Sequence, residues 1–109
     1  MANERAEDRR IFERLPVKLP VSFIGTGTAS EGNASTQDIS AKGIGLLFNT
    51  RLAPRTPLEM WLKVPDKGEP LYTRGEVVWS EPQGPGQYRI GVSLEKADLM
   101  GLSRVLRTV

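Results

Sequence analysis

Cysteine and histidine are both missing from this 109-residue chain. The first absence excludes disulfides, thiolate metal sites and a cysteine nucleophile, and it fits a reducing compartment. The second removes the commonest metal ligand and the commonest general base. Aromatic residues are scarce at 6%, and the net charge is only +2. That leaves neither an obvious stacking platform nor a strong electrostatic footprint for single-stranded nucleic acid, and no DNA is expected as a partner. No apolar run approaches the ~20 residues of a membrane-spanning helix, and the amino terminus carries no apolar core of signal-peptide type. The expectation is a cytoplasmic protein without membrane insertion.

What remains for catalysis is carboxylates, Lys, Tyr and Ser. Glu4, Glu7 and Asp8 stand in a solvated charge run rather than in a pattern suited to acid–base work. A non-enzyme with no cofactor is therefore expected. A hydrophobic fraction of 39% and a charged fraction of 26% are those of an ordinary folded domain, and the length suffices for one core but not two. Ten of the fifteen basic residues are Arg. Guanidinium offers a planar fork to phosphate and to the guanine edge, whereas ammonium is a point charge.

Hydrophobic periodicity predicts six short strands followed by one helix. Val17, Leu19, Val21 and Phe23 alternate with polar residues, and Pro20 among them points to an edge or bulged strand. After a polar, glycine-rich loop from Gly25 to Asn33 comes a strand at 34–39, then the Ala41-Lys42-Gly43 turn and the alternating Ile44, Leu46 and Phe48. Leu58, Met60, Leu62 and Val64 mark the fourth strand, Leu71 to Trp79 the fifth, and Tyr88, Ile90, Val92 and Leu94 the sixth. A turn is expected from Pro82 to Gly86. From Lys96 the period lengthens, and Leu99, Leu102 and Leu106 form one apolar stripe of a terminal helix expected to pack on the strands.

So many short strands with regular turns predict an all-β fold with one terminal helix. A six-stranded antiparallel β-barrel is favoured because closure removes exposed edges. Residues 1–14 are expected to form a flexible N-terminal segment carrying an arginine motif, and residues 15–109 the barrel with its C-terminal α-helix. The helix has room to pack on its own barrel or against a copy, so a monomer or weak dimer is expected.

Two short motifs stand out. Arg10 and Arg14 form an Arg-x-x-x-Arg spacing just before the first strand. Arg5/Arg9 and Arg51/Arg55 repeat that spacing, so an arginine-rich chain generates it by accident. Asp38-Ile39-Ser40-Ala41-Lys42-Gly43 reads Asp-x-Ser-x-x-Gly. Asp and Ser commonly bond turn backbones and Gly supplies positive φ, so a purely structural origin explains this motif too.

Together, with Asp38 24 residues after Arg14, the motifs resemble the PilZ domain family. Arg-Leu-Pro-Val at 14–17, Gly-Glu-Val-Val-Trp at 75–79 and Arg-Ile-Gly-Val at 89–92 look like that family's first, fifth and sixth strands. The resemblance implies a barrel with a terminal helix, and binding of the bacterial second messenger cyclic di-GMP by residues of both motifs. It also implies a relay to an unidentified downstream protein. Arg10 and Arg14 would meet guanine O6 and N7 or the phosphates, and Asp38 would accept from guanine N1–H and N2–H. Ser40 would reach a phosphate or orient Asp38, and Gly43 would admit the ligand to the backbone. Arg9 would stack on a base, and Trp79 would form an aromatic wall unless it is a core residue. The alternatives are a PilZ-like adaptor without ligand and a small basic barrel binding single-stranded nucleic acid.

Overall fold

The computed structural model describes residues 13–25 and 31–108. Of the expected N-terminal segment 1–14, residues 1–12 lie outside the described residues, as do loop residues 26–30.

Six strands form a closed barrel: β1 (Pro20–Gly25), β2 (Glu31–Ile39), β3 (Gly43–Phe48), β4 (Pro57–Leu62), β5 (Leu71–Gly84) and β6 (Gln87–Leu94), in the order β1-β2-β3-β6-β5-β4. Every neighbouring pair is antiparallel. Helix α1 (Leu99–Leu106) follows. The architecture is the one that strand periodicity predicted. Among the described residues no helix is long and apolar enough to cross a membrane.

Alternation places Val21 and Phe23 of β1, Leu58, Met60 and Leu62 of β4, and Ile90 and Val92 of β6 inside the barrel, where they meet Ile44, Leu46 and Val77. Burying each such side chain contributes roughly 1.5–3 kcal/mol against the entropy of ordering the chain.

The first strand starts at Pro20, not at Val17. Val17 and Leu19 are buried, but they reach the core from an extended segment held to β2 by side-chain bonds. Thr36 Oγ1 donates to the carbonyl of Val17 and accepts from the amide of Leu19 at 2.8 Å, and the Thr36 amide donates to Leu19 O at 2.8 Å. Pro20 does not mark an edge, because β1 pairs with both β2 and β4. As the first strand residue it gives up no essential ladder bond.

Strand β2 begins at Glu31, ahead of the expected start at 34. Strand β5 continues past Trp79 to Gly84, and the turn contracts to Pro85-Gly86, with Gly86 at φ 68°. The outer part of the β5–β6 ribbon is exposed on both faces, so no burial alternation announces it and Pro82 is tolerated there.

Helix α1 packs on the strands through Leu102 as expected, but with Val105 beside it in place of Leu99 and Leu106. Leu102 and Val105 are 4% and 1% exposed, but Leu99 and Leu106 are 51% and 43% exposed and flank the contact. An eight-residue helix across one end of a small barrel touches it along a stripe narrower than its own apolar arc. Two anchors set its rotation. The Asp98 carboxylate caps the helix by accepting the Gly101 amide at 2.8 Å. Arg104 donates twice to the Asp66 carboxylate at 2.7 and 2.8 Å, and again to the Glu69 carbonyl.

Candidate ligand-binding site

The site is built on the outer face of the β2-β3-β6-β5 half of the barrel. Register places Asp38 opposite Gly45, Gly45 opposite Gly91, and Gly91 opposite Trp79, so these four residues form one row across four strands. Both inner members are glycines, and both outer members lean over them. A Cβ on Gly45 would stand 2.7 Å from Asp38 Oδ1, and one on Gly91 would stand 2.3 Å from the Trp79 indole. The bare backbone of β3 and β6 is a slot in which a carboxylate and an indole are seated.

Two bulges aim these side chains. The β2–β3 register shifts between Thr36 and Asp38, and the β5–β6 register shifts between Val77 and Trp79. Each extra residue reverses the alternation locally. Thr36 and Val77 remain buried, and Asp38 and Trp79 face outward. Trp79 is therefore not a core tryptophan.

Arg14 is brought to Asp38 from outside the sheet. Leu15 forms an isolated bridge with Ile39, through amide-to-carbonyl bonds of 2.8 and 2.9 Å, and this pins the preceding residue beside the carboxylate. Arg14 Nη1 donates to Asp38 Oδ1 at 2.6 Å. The second oxygen, Oδ2, lies 3.6 Å from Arg89 Nη2, and the Arg89 guanidinium carbon sits 5.5 Å from the Trp79 ring centroid.

Ser40 and Gly43 close the β2–β3 turn. The Ser40 amide donates to Gly43 O at 2.9 Å, and Ser40 Oγ accepts from the Gly43 amide at 3.1 Å. Among the described residues the only glycine with positive φ is Gly86, so Gly43 is not there for the left-handed backbone that its turn position suggested. Its requirement is room, since a Cβ would lie 3.0 Å from the Val92 carbonyl oxygen and 3.3 Å from Arg14 Nη2. Ala41 O of the same turn accepts the Asp98 amide at 2.9 Å, which ties the turn to the start of α1.

Arg14, Ser40, Gly43, Trp79, Gly91 and Ser93 line a cleft of about 300 Å3, with Lys42 at its edge. Among the described residues Arg14 and Arg89 share the single carboxylate of Asp38, an excess of positive charge that suits an anionic ligand. The structure thus gathers Arg14, Asp38, Ser40, Gly43 and Trp79. Arg9 and Arg10 lie outside the described residues. Sequence reasoning missed Gly45, Gly91 and Arg89 as parts of the site. Isolated glycines within alternating strands were the available signal.

A closed antiparallel barrel with a terminal helix carries this cleft on its outer wall. The chain belongs to the PilZ domain family, which it matches over residues 8–107. This is a family of cyclic di-GMP receptors and adaptors rather than of catalysts. Three solved structures share the fold. The Bacillus subtilis inhibitor of motility MotI/DgrA aligns with a TM-score of 0.66 at 14% identity, over 97% of this chain and 49% of that one. The PilZ domain of CeSA from a cellulose-synthesizing bacterium gives 0.60 at 20% identity, over 87% and 92%. MrkH of K. pneumonia gives 0.65 at 14% identity, over 98% and 48%. The chain spans about half the length of MotI/DgrA and of MrkH. No curated protein matches it in sequence.

Proposed function

We propose that the chain is a receptor for cyclic di-GMP that passes binding on to a partner protein. The observation that supports this best is the cleft lined by Arg14, Ser40, Gly43 and Trp79, with Asp38 paired to Arg14 beside it. Asp38 accepts from guanine N1–H and N2–H, donors that adenine does not present together, and so carries base selectivity. Arg14, with Arg10 and Arg9 from the preceding segment, holds the phosphates or the O6/N7 edge, the latter worth about 1–3 kcal/mol of base discrimination. Trp79 supplies a face for the base. Ser40 reaches a phosphate oxygen, and Gly43 leaves room for Arg14 and the ligand together.

Asp38 is engaged by Arg14 at 2.6 Å, so a ligand that takes both residues would exchange one ion pair for two new contacts. The carboxylate turns to guanine and the guanidinium to phosphate. Segment 1–14 closes over the ligand in the same step and changes the neighbouring surface. The bond from the Asp98 amide to Ala41 O supports a second route to the surface, because it joins the site's turn to α1. A soluble nucleotide messenger makes the cytoplasm the working compartment, and the receptor acts as a monomer or weak dimer.

Calorimetric titration with cyclic di-GMP, cyclic di-AMP and a short oligonucleotide tests this function, repeated for Arg14→Ala and Asp38→Ala. Saturable heat is expected for cyclic di-GMP alone, lost or much reduced in both variants. Equal heats for the two cyclic dinucleotides would remove guanine recognition. Amide exchange that is identical across residues 1–14 with and without ligand would remove the closing step.

A further inference from the structure

We infer that Arg89 is a positioning residue of this site: it is the standing counter-ion of Asp38, which stays in place when Arg14 leaves for the ligand. This rests on the function proposed above and adds a residue that neither motif contains.

The two arginines hold different oxygens of one carboxylate, Arg14 at Oδ1 and Arg89 at Oδ2. Their anchorage differs. Arg14 lies outside the barrel strands, just before the bridge at Leu15, and has its side chain 46% exposed. Arg89 sits mid-strand in β6, opposite Leu47 of β3 and Glu81 of β5. Its guanidinium is further fixed against the Trp79 ring. Both side chains are partly exposed, 46% for Arg14 and 38% for Arg89, so the difference lies in their anchorage: Arg89 is held mid-strand and against Trp79, whereas Arg14 stands before the first strand.

Asp38 is only 14% exposed and lies against the bare backbone of Gly45. A carboxylate so far withdrawn from water is costly to leave unpaired. Once Arg14 turns to phosphate, Arg89 is, among the described residues, the cation still paired with Asp38, and its attraction keeps Oδ1 directed at the guanine edge. Arg89 Nε is buried with no hydrogen-bond partner, so the side chain sits where its neighbours place it and not where its own donors would be best satisfied. Arg89 therefore contributes little in the free protein, where Arg14 already serves Asp38, and much in the complex.

A double-mutant cycle on the full chain tests this, with calorimetric titration of cyclic di-GMP and cyclic di-AMP and thermal unfolding without ligand. Arg89→Met should weaken cyclic di-GMP about ten- to hundredfold and narrow its margin over cyclic di-AMP, with the unfolding midpoint almost unmoved. Arg89→Lys, which keeps a cation on the same strand, should recover part of the loss. In an Asp38→Asn background, where no charge needs balancing, Arg89→Met should have little further effect.

Unchanged binding by Arg89→Met, or an equal loss in the Asp38→Asn background, would overturn the role as counter-ion while leaving the receptor function intact. Silence of the unsubstituted protein toward cyclic di-GMP would overturn both. Recovery by Arg89→Lys shows that a loss in Arg89→Met is not one of folding.

Discussion

Asp38 lies flat over the backbone of Gly45, with Oδ1 2.7 Å and Oδ2 3.3 Å from the point where a Cβ would begin. A carboxylate on the outer face of a barrel would ordinarily extend into water. Here the missing side chain of the neighbouring strand lets it lie down, where Arg14 and Arg89 approach it from separate sides. Neighbouring strands are about 4.8 Å apart. The slot made by Gly45 and Gly91 therefore brings the carboxylate and the Trp79 ring within the span of a single base.

That slot is sensitive to a single methyl group. Gly91→Ala should lift the Trp79 indole off β6 and separate it from Arg89, at a cost of about 1–3 kcal/mol from overpacking. Gly45→Ala should displace Asp38 with a smaller loss of stability, because the carboxylate has room to move outward. Urea unfolding with near-ultraviolet circular dichroism distinguishes them: the Trp signal changes in Gly91→Ala and is retained in Gly45→Ala.

The proposed function gives Arg14 a role in binding and not in stability. Its side chain is about half exposed, so Arg14→Ala should move the unfolding free energy by less than about 1 kcal/mol. Its effect on cyclic di-GMP affinity should be far larger. Comparable losses in unfolding and binding would show that Leu15 and Ile39 do not hold the segment without it.

Thr36 is where stability and site placement meet. Thr36→Val keeps the shape but removes the hydroxyl that joins Val17 O and Leu19 N, leaving a buried amide without its acceptor. The expected cost is about 1–3 kcal/mol. Faster amide exchange at Val17 to Leu19 should accompany it, with ligand binding weakened through the displaced Arg14.

The anchor of α1 predicts a pH dependence. The double hydrogen bond from Arg104, helped by the Gly68 amide, holds the Asp66 carboxyl far below the usual carboxylate range, and the same pair raises Arg104. A folded-state value lowered below the unfolded one, about 3.9, gives stability that is fully present above that value and lost as pH falls toward the folded value. Asp66→Asn should therefore melt below the unsubstituted protein at neutral pH. The two melting curves should converge as pH drops below about 4, in thermal unfolding followed across the acid range.

The face of α1 is checked by two truncations. Leu102→Ala removes a side chain 4% exposed and should cost about 2–4 kcal/mol, whereas Leu99→Ala, at 51% exposed, should cost no more than about 0.5 kcal/mol. Equal costs in chemical unfolding would restore the stripe that leucine spacing predicted.

The sequence by itself determined the barrel, its six strands and the terminal helix, and it singled out five residues that the structure brings together. Alternation of period two is a local property of the chain, and Arg14, Asp38, Ser40, Gly43 and Trp79 stand in or beside short motifs whose residue types suit guanine and phosphate. Strand ends escaped where burial gives no alternation, as in the exposed ribbon after Trp79, and where side-chain bonds replace the ladder, as in the segment before Pro20. Only the tertiary structure decided that Asp38 and Trp79 lie in one row, because that depends on two bulges and on the register of four strands. It also decided that Gly45, Gly91 and Arg89 belong to the site. The pairing of β3 with β6 joins two hairpins that are distant in the chain and brings Arg89 to Asp38, and in the sequence a glycine that clears room for a carboxylate reads the same as one that merely fills a strand.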